Sequence, residues 1–290
     1  MLHEAGLKDY IPFYKETIDD KQKPLPSIYC NKDKDCFATR VANGLMIRSD
    51  IVDTFYKRVL ESPIVNRDKY VYSDNDFIFL GKIVEQLSGM PLNICVNKWF
   101  YQPMGLSRIG YLPFTFISKK DIAPTVSEAD FRGQELRGDV HDQGAAIMGG
   151  VAGHAGIFSD SRDVASIMQM LLNKGEWNGK RFLKPETIHL FTSYQSSISR
   201  RGLGFDKPDK QNKTLTEPYP AQYVSDATFG HTGFTGTCTW ADPASGMIFV
   251  FLSNRIYPSD NGVFKTLNLR SKIHDTFAVL YKNQHGSSTN

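Results

Sequence analysis

Apolar residues recur in two rhythms along this chain, and the change between them divides it. Between Asp50 and Leu60, Ile51, Phe55 and Val59 share one helical face. A clearer helix follows: Phe77, Leu80, Val84 and Leu87 repeat after Asp74 and Asp76, which suit a helix start, and Ser88-Gly89 with Pro91 stops it. Leu92, Cys95, Val96 and Trp99 predict another helix, ended by Pro103-Met104-Gly105. From about Arg162, Val164, Ile167, Met168, Leu171 and Leu172 line one side, with Ser159, Asp160 and Ser161 as candidate caps and Gly175 as the stop. Lys184-Pro185-Glu186 opens a short helix.

Beyond Phe229 the rhythm turns β-like. Thr237 to Ala241 reads as a strand, Asp242-Pro243-Ala244-Ser245-Gly246 as a turn, and Met247 to Leu252 as a strand covered on both faces. Val263, Leu267, Phe277 and Leu280 predict a closing helix. Residues 1–48 and 107–150 show no sustained pattern and read as irregular. A helical block followed by strands and a final helix predicts an α/β arrangement with an antiparallel sheet.

Composition removes several classes. With 290 residues, 41% hydrophobic and 22% charged, the chain is an ordinary globular sequence and not a disordered, collagenous or coiled-coil one. A net charge of +3, spread without a basic block, gives no reason to expect a nucleic-acid partner. No apolar run nears the roughly 20 residues of a membrane helix, and Met1 to Leu7 has no signal-peptide pattern. Cys30 and Cys36 flank a polar tip and would either bridge in an oxidising compartment or stay thiols, the second being preferred. His141, Asp142 and His154 carry metal-ligand types without a metal-site spacing, so no metal and no cofactor is expected. They read instead as loop-shaping groups. Gly149, Gly150, Gly153 and Gly156 permit a tight loop, and no Gly-Lys-Ser/Thr marks a phosphate site.

Three segments carry the chemistry. Tyr72-Ser73-Asp74 precedes a helix. Gly149-Gly150-Val151-Ala152-Gly153-His154-Ala155-Gly156 precedes Arg162-Asp163-Val164-Ala165. Gly230-His231-Thr232-Gly233-Phe234-Thr235-Gly236 precedes Trp240-Ala241-Asp242-Pro243. In order and spacing they resemble the serine β-lactamase and penicillin-binding-protein superfamily, in its class C-like esterase and D-aminopeptidase branch. Ile122-Ala123-Pro124-Thr125, Gly138-Asp139-Val140-His141-Asp142 and Gly153-His154-Ala155-Gly156 resemble the β-lactamase-like domain that follows family 3 glycosidases in Bacteroidetes-type proteins.

That resemblance implies a single partial domain over residues 1–290 of α/β class, an antiparallel sheet flanked by helices plus an all-helical region, with 49–200 mainly helical and 201–290 carrying the sheet and the C-terminal helix. It implies an active site between the two parts, acyl transfer to serine, then attack by water, with no cofactor. A Ser-x-x-Lys helix would supply nucleophile and base, since residues three apart share a helix face. No Ser-x-x-Lys occurs in these 290 residues. Met1-Leu2-His3-Glu4-Ala5-Gly6-Leu7 is similar to the segment that follows the nucleophile helix in the family. The chain is therefore expected to start downstream of its nucleophile, to lack the first strands, and to leave Met247 to Leu252 as an apolar edge.

By the same resemblance Tyr72, Asp74 and His231 are the catalytic candidates, and Thr232, Gly233, Phe234 and His154 the substrate-binding ones. Tyr72 competes with a buried aromatic at a helix start, Asp74 with a helix cap, and His231 with an ordinary imidazole. Phe234 N–H would donate to the oxyanion. An imidazole in place of the usual lysine, mostly neutral at pH 7, favours neutral ester or amide substrates. The expected partners are a small or cell-wall-derived ester or peptide substrate and an upstream segment of the same protein, such as a glycosidase domain. The expected location is the periplasm or cell envelope. The other reading is a non-catalytic glycan- or peptide-binding or structural module.

Overall fold

The computed structural model describes residues 1–31, 37–65 and 67–285, and they fall into two compact units. One comprises residues 3–159 and 257–259; the other comprises 1–2, 160–256 and 260–290.

The first unit is built around a core of short elements. The region read as irregular at the N-terminus holds a small antiparallel sheet, Tyr29–Cys30, Leu45–Ile47 and Thr39–Ala42 in that spatial order. Its strands are too brief for a period to show, yet Ala42 and Ile47 are fully buried. The 107–150 region also differs from expectation. It contains the hairpin Val126–Glu128 with Gln134–Leu136 and a helix, Gln143–Ile147, whose Ala145, Ala146 and Ile147 are fully buried. Five residues fit no helical repeat, but Asp142 caps them by accepting from Ala145 N–H.

The predicted helices of this unit form, at Ser49–Glu61, Asp74–Ser88 and Leu92–Val96. The last widens over Asn97–Tyr101 and runs on to Met104, where Gly105 turns left-handed at φ 75°. In the second of them the buried face is not the one the apolar repeat marked. Asn75, Asp76, Ile78 and Gly81 are buried, whereas Leu87 is 83% exposed. A helix can bury polar residues when its first turn is hydrogen-bonded into a loop, as here: Asn75 Nδ2 and Ser73 Oγ both donate to Lys8 O, at 2.9 and 2.6 Å.

The second unit carries an antiparallel sheet of Phe229–Thr232, Cys238–Asp242 and Met247–Phe251, in that order. Cys238, Trp240 and Phe249 form its core. Met247 and Phe249 are buried while Ile248, Val250 and Phe251 are only half-buried, so this strand alternates and is not covered equally on both faces. Among the described residues it pairs with one neighbour only. The helices Ser161–Leu172 and Leu269–His285 pack on it. Asp160, among the predicted caps, accepts from Asp163 N–H at 2.9 Å. The single closing helix expected from the apolar pattern is two, Val263–Thr266 and Leu269–His285; the longer buries Ser271, His274 and Ala278, whereas the pattern's Val263, Leu267, Phe277 and Leu280 are exposed. Cys95 and Cys238 are buried free thiols. Cys36, the proposed partner of Cys30, lies outside the described residues. Among the described residues no helix is long and apolar enough to cross a membrane.

Candidate active site

Tyr72, Asp74 and His154 belong to the first unit, and the structure gathers them around one helix start. Ser73, not Asp74, is the cap of Asp74–Ser88: its Oγ accepts from Asn75 N–H at 3.2 Å. That leaves Asp74 in the first turn, where the helix's positive end favours a carboxylate. Tyr72 stands just outside the helix and is 44% exposed, which removes the buried-aromatic alternative. Its ring packs on the His3 ring at a centroid distance of 4.2 Å. His3 in turn accepts Ser73 N–H at Nδ1 (3.0 Å), so side chain and backbone on both sides of the phenol are held.

His154 reaches the same place through a glycine. A Cβ on Gly153 would lie 2.0 Å from Phe77 O and 3.0 Å from Gly81 N. Only glycine lets this loop rest on the helix backbone, and the next residue is thereby seated at its first turn. His154 Nε2 donates to Asp142 Oδ1 at 2.9 Å. Asp142 is placed by a buried arginine: Arg132 donates to Val140 O and His141 O at 2.6 and 2.7 Å and is held by Glu128.

Ligand-type atoms of Asp74, Asp142 and His154 all lie within 4.8 Å of one another. The set differs from the His141, Asp142 and His154 group weighed from sequence, because Asp74 takes the place of His141. Two carboxylates and an imidazole have the donor types of a metal site. Both carboxylates, however, sit at helix starts, where a cation is disfavoured, and the imidazole is already bonded. The arrangement better suits shared protons. Burial raises the Asp74 carboxyl above its usual range, with Asp142 adding to the rise and His154 opposing it. Burial would raise Asp142 too, but the bond and charge of His154 and the Ala145 N–H hold it low.

His231, Thr232, Gly233 and Phe234 belong to the second unit, at the end of the strand Phe229–Thr232 and in the turn after it. Gly233 N–H donates to Thr237 O at 2.7 Å, and a Cβ there would meet Thr237 Oγ1 at 2.2 Å, so the Thr237 hydroxyl packs against the bare glycine. Arg270 Nη1 donates to Gly233 O and Thr237 O. Arg255 Nε donates to Phe234 O at 2.8 Å, and its guanidinium lies 4.7 Å over the Phe234 ring. The peptide that would present Phe234 N–H is thus fixed from two arginines. Sequence reasoning gave no role to these, nor to Arg200, Arg201 and Asp206 beside His231. The adjacent Arg200-Arg201 pair was the signal available.

Comparison with known proteins gives this geometry a family. The Beta-lactamase family model matches residues 1–271. A Salmonella gallinarum protein named "Putative D-alanyl-D-alanine carboxypeptidase" is 35% identical over 280 residues, covering 85% of this chain and 61% of its own. An Escherichia coli protein of the same name is 37% identical over 199 residues, covering 64% and 45%. The fold is similar to EstCE1, a hydrolase with promiscuous acyltransferase activity (TM-score 0.54, 19% identity, 93% of this chain and 69% of that one). It is similar also to a penicillin binding protein from Bacillus halodurans (TM-score 0.54, 15% identity, 87% and 66%). This chain belongs to the β-lactamase family. It spans between 45% and 61% of the length of these two carboxypeptidase-named relatives.

Proposed function

We propose that this chain forms part of a serine-type acyl hydrolase acting on ester or amide bonds, with its attacking hydroxyl supplied from outside these 290 residues. The observation that carries the reading is the exposed Tyr72 phenol. It is held at a helix start by His3, two residues from a carboxyl that burial raises above its usual range. In this reading Tyr72 moves the proton between nucleophile and leaving group. Asp74 occupies the position usually held by asparagine in the family, and burial raises its carboxyl above its usual range. His231 and Thr232 orient the substrate, and Phe234 N–H donates to the oxyanion, a class of interaction worth about 2.7–4 kcal/mol in the transition state.

The names of the curated relatives support a peptide ending in D-alanine as one substrate class. An envelope location and attachment to a glycosidase remain part of the same proposal. The missing Ser-x-x-Lys favours a second reading, a non-catalytic glycan- or peptide-binding module.

Fluorophosphonate labelling separates the two. The 290-residue chain alone is expected to take no label. The reading frame extended upstream of Met1 is expected to label at the serine of a Ser-x-x-Lys, and Tyr72→Phe to slow that labelling by about 10²-fold or more, as for loss of a proton-transfer group. An extended frame that lacks the motif, or has it and takes no label, overturns the hydrolase. A label landing within residues 1–290 overturns the placing of the nucleophile.

A further inference from the structure

Two hydrogen bonds of His231 have partners that decide where its proton sits. Nδ1 lies 2.7 Å from Thr232 O, and Nε2 lies 2.8 Å from Arg201 Nη1. A carbonyl oxygen only accepts, so Nδ1 carries a hydrogen. A guanidinium only donates and keeps its protons in proteins, so Nε2 must be the acceptor. We infer that Arg201 is a positioning residue that locks His231 as a neutral imidazole protonated at Nδ1. The positive charge of the third motif then resides on the guanidinium, and the imidazole is an oriented bridge, not a proton carrier.

The lock is built into the strand. Arg201 is 2% exposed, and its Nε lies 3.7 Å from Asp206 Oδ1. Asp206 is equally buried. It also receives Arg200 Nε and Nη2 at 2.9 and 3.1 Å and the Tyr219 hydroxyl at 2.6 Å. The Asp206 backbone exchanges hydrogen bonds of 2.8 and 3.0 Å with Gly230, the residue before His231. Carboxylate, guanidinium and imidazole are thus in register with one strand. Protonating Nε2 would set two donors and two positive charges face to face at the distance of the present bond.

This revises the expectation that replacing a motif lysine by histidine removes the local cation. The cation is set one residue layer back. The inference deepens the acyl-transfer reading, resting on it only for what the imidazole does to a substrate. The proton's position is a property of the chain itself.

Two-bond ¹H–¹⁵N imidazole correlation on the ¹⁵N-labelled 290-residue chain at pH 7.5, with His231 assigned through His231→Gln, tests it. The expected pattern is a pyrrole-type Nδ1 and a pyridine-type Nε2, the reverse of the tautomer free histidine favours. Arg201→Met is expected to shift His231 toward the Nε2–H form while the His154 and His274 signals stay in place. A wild-type His231 protonated at Nε2, singly or with Nδ1, overturns the inference, as does a folded Arg201→Met with an unchanged pattern. If Arg201→Met does not fold, the wild-type spectrum decides alone. Failed fluorophosphonate labelling with the tautomer intact removes the hydrolase reading and leaves this inference standing.

Discussion

The two motif-bearing regions handle charge in opposite ways. Around Tyr72 the charged groups are carboxylates, Asp74 and Asp142, each at a helix start, with His154 bonded to one of them. Around His231 and its turn they are mainly guanidiniums, Arg200, Arg201, Arg255 and Arg270, reaching a strand and its turn from other segments, with one buried carboxylate, Asp206, beside Arg200 and Arg201. A helix start can hold anions by its own dipole, so motif and electrostatics coincide there. A sheet has little net dipole, so the field at a strand motif must be brought by distant residues. In the first region Tyr72, Asp74 and the helix start that favours a carboxylate therefore lie within one motif, whereas the cations of the second come from outside its motif.

The largest test of this contrast is acid. His274 in the second unit is buried against Phe249, ring to ring at 4.3 Å, and neither imidazole nitrogen has a partner among the described residues. Burial pushes its pKa down to about 4, slightly offset by Asp242. The unfolded chain, with a histidine near 6.5, then binds the extra proton between pH 6.5 and 4. Stability is complete above pH 6.5 and is lost as pH falls toward 4, by about 3 kcal/mol. In the first unit Asp142 is held low and loses its contribution only as pH falls below the carboxylate range, near 4. Urea unfolding followed by tryptophan emission at pH 7 and 4.5 is expected to show the loss, and His274→Phe to remove most of it. An unchanged slope in His274→Phe would place the acid-sensitive group elsewhere.

Legibility followed the same divide. Helix starts and stops were readable because they depend on neighbours in sequence: Ser88-Gly89 ends its helix at Gly89 with φ 67°, and Asp160 caps the next long one. The sheet strands from Phe229 to Phe251 were readable from their turn residues. Buried faces were not. Leu87, Phe277 and Leu280 are exposed while Asn75, Asp76 and His274 are buried, because contacts distant in sequence override apolar periodicity. Within the candidate site, Tyr72 and His154 were proposed from the family resemblance of their motifs, whereas the Asp142 clamp needed Arg132, and the contact of His231 needed Arg201, 30 residues away.

A smaller effect tests how the loop is seated. Gly153→Ala places a methyl 2.0 Å from Phe77 O, a backbone atom that cannot rotate away. Loop or helix must shift, at about 2 kcal/mol. Because His154 is the next residue, the same shift is expected to lengthen its bond to Asp142 and move the His154 ¹⁵N signals. Gly133→Ala, a glycine at φ +62° with nothing within 4 Å of its Cβ, is the control for backbone strain alone. If Gly153→Ala costs less than Gly133→Ala and leaves His154 unmoved, close approach does not seat the histidine.

The smallest effect concerns the helix start itself. Ser73 Oγ accepts from Asn75 N–H and donates to Lys8 O, tying the first turn to the preceding loop. Ser73→Ala removes both bonds, although Asn75 Nδ2 still satisfies Lys8 O. The expected loss is about 1 kcal/mol, the usual cost of a missing cap. Ser73→Thr, which keeps a hydroxyl at the same place, should recover most of it. The informative quantity is the Tyr72 environment, because Ser73 N–H also holds His3, on which the phenol packs. That bond comes from the backbone and survives either substitution. Tyr72 ring signals should therefore stay in place in Ser73→Ala even as the midpoint falls. Ring signals that move together with the midpoint would mean that the cap, and not the His3 platform, positions the phenol.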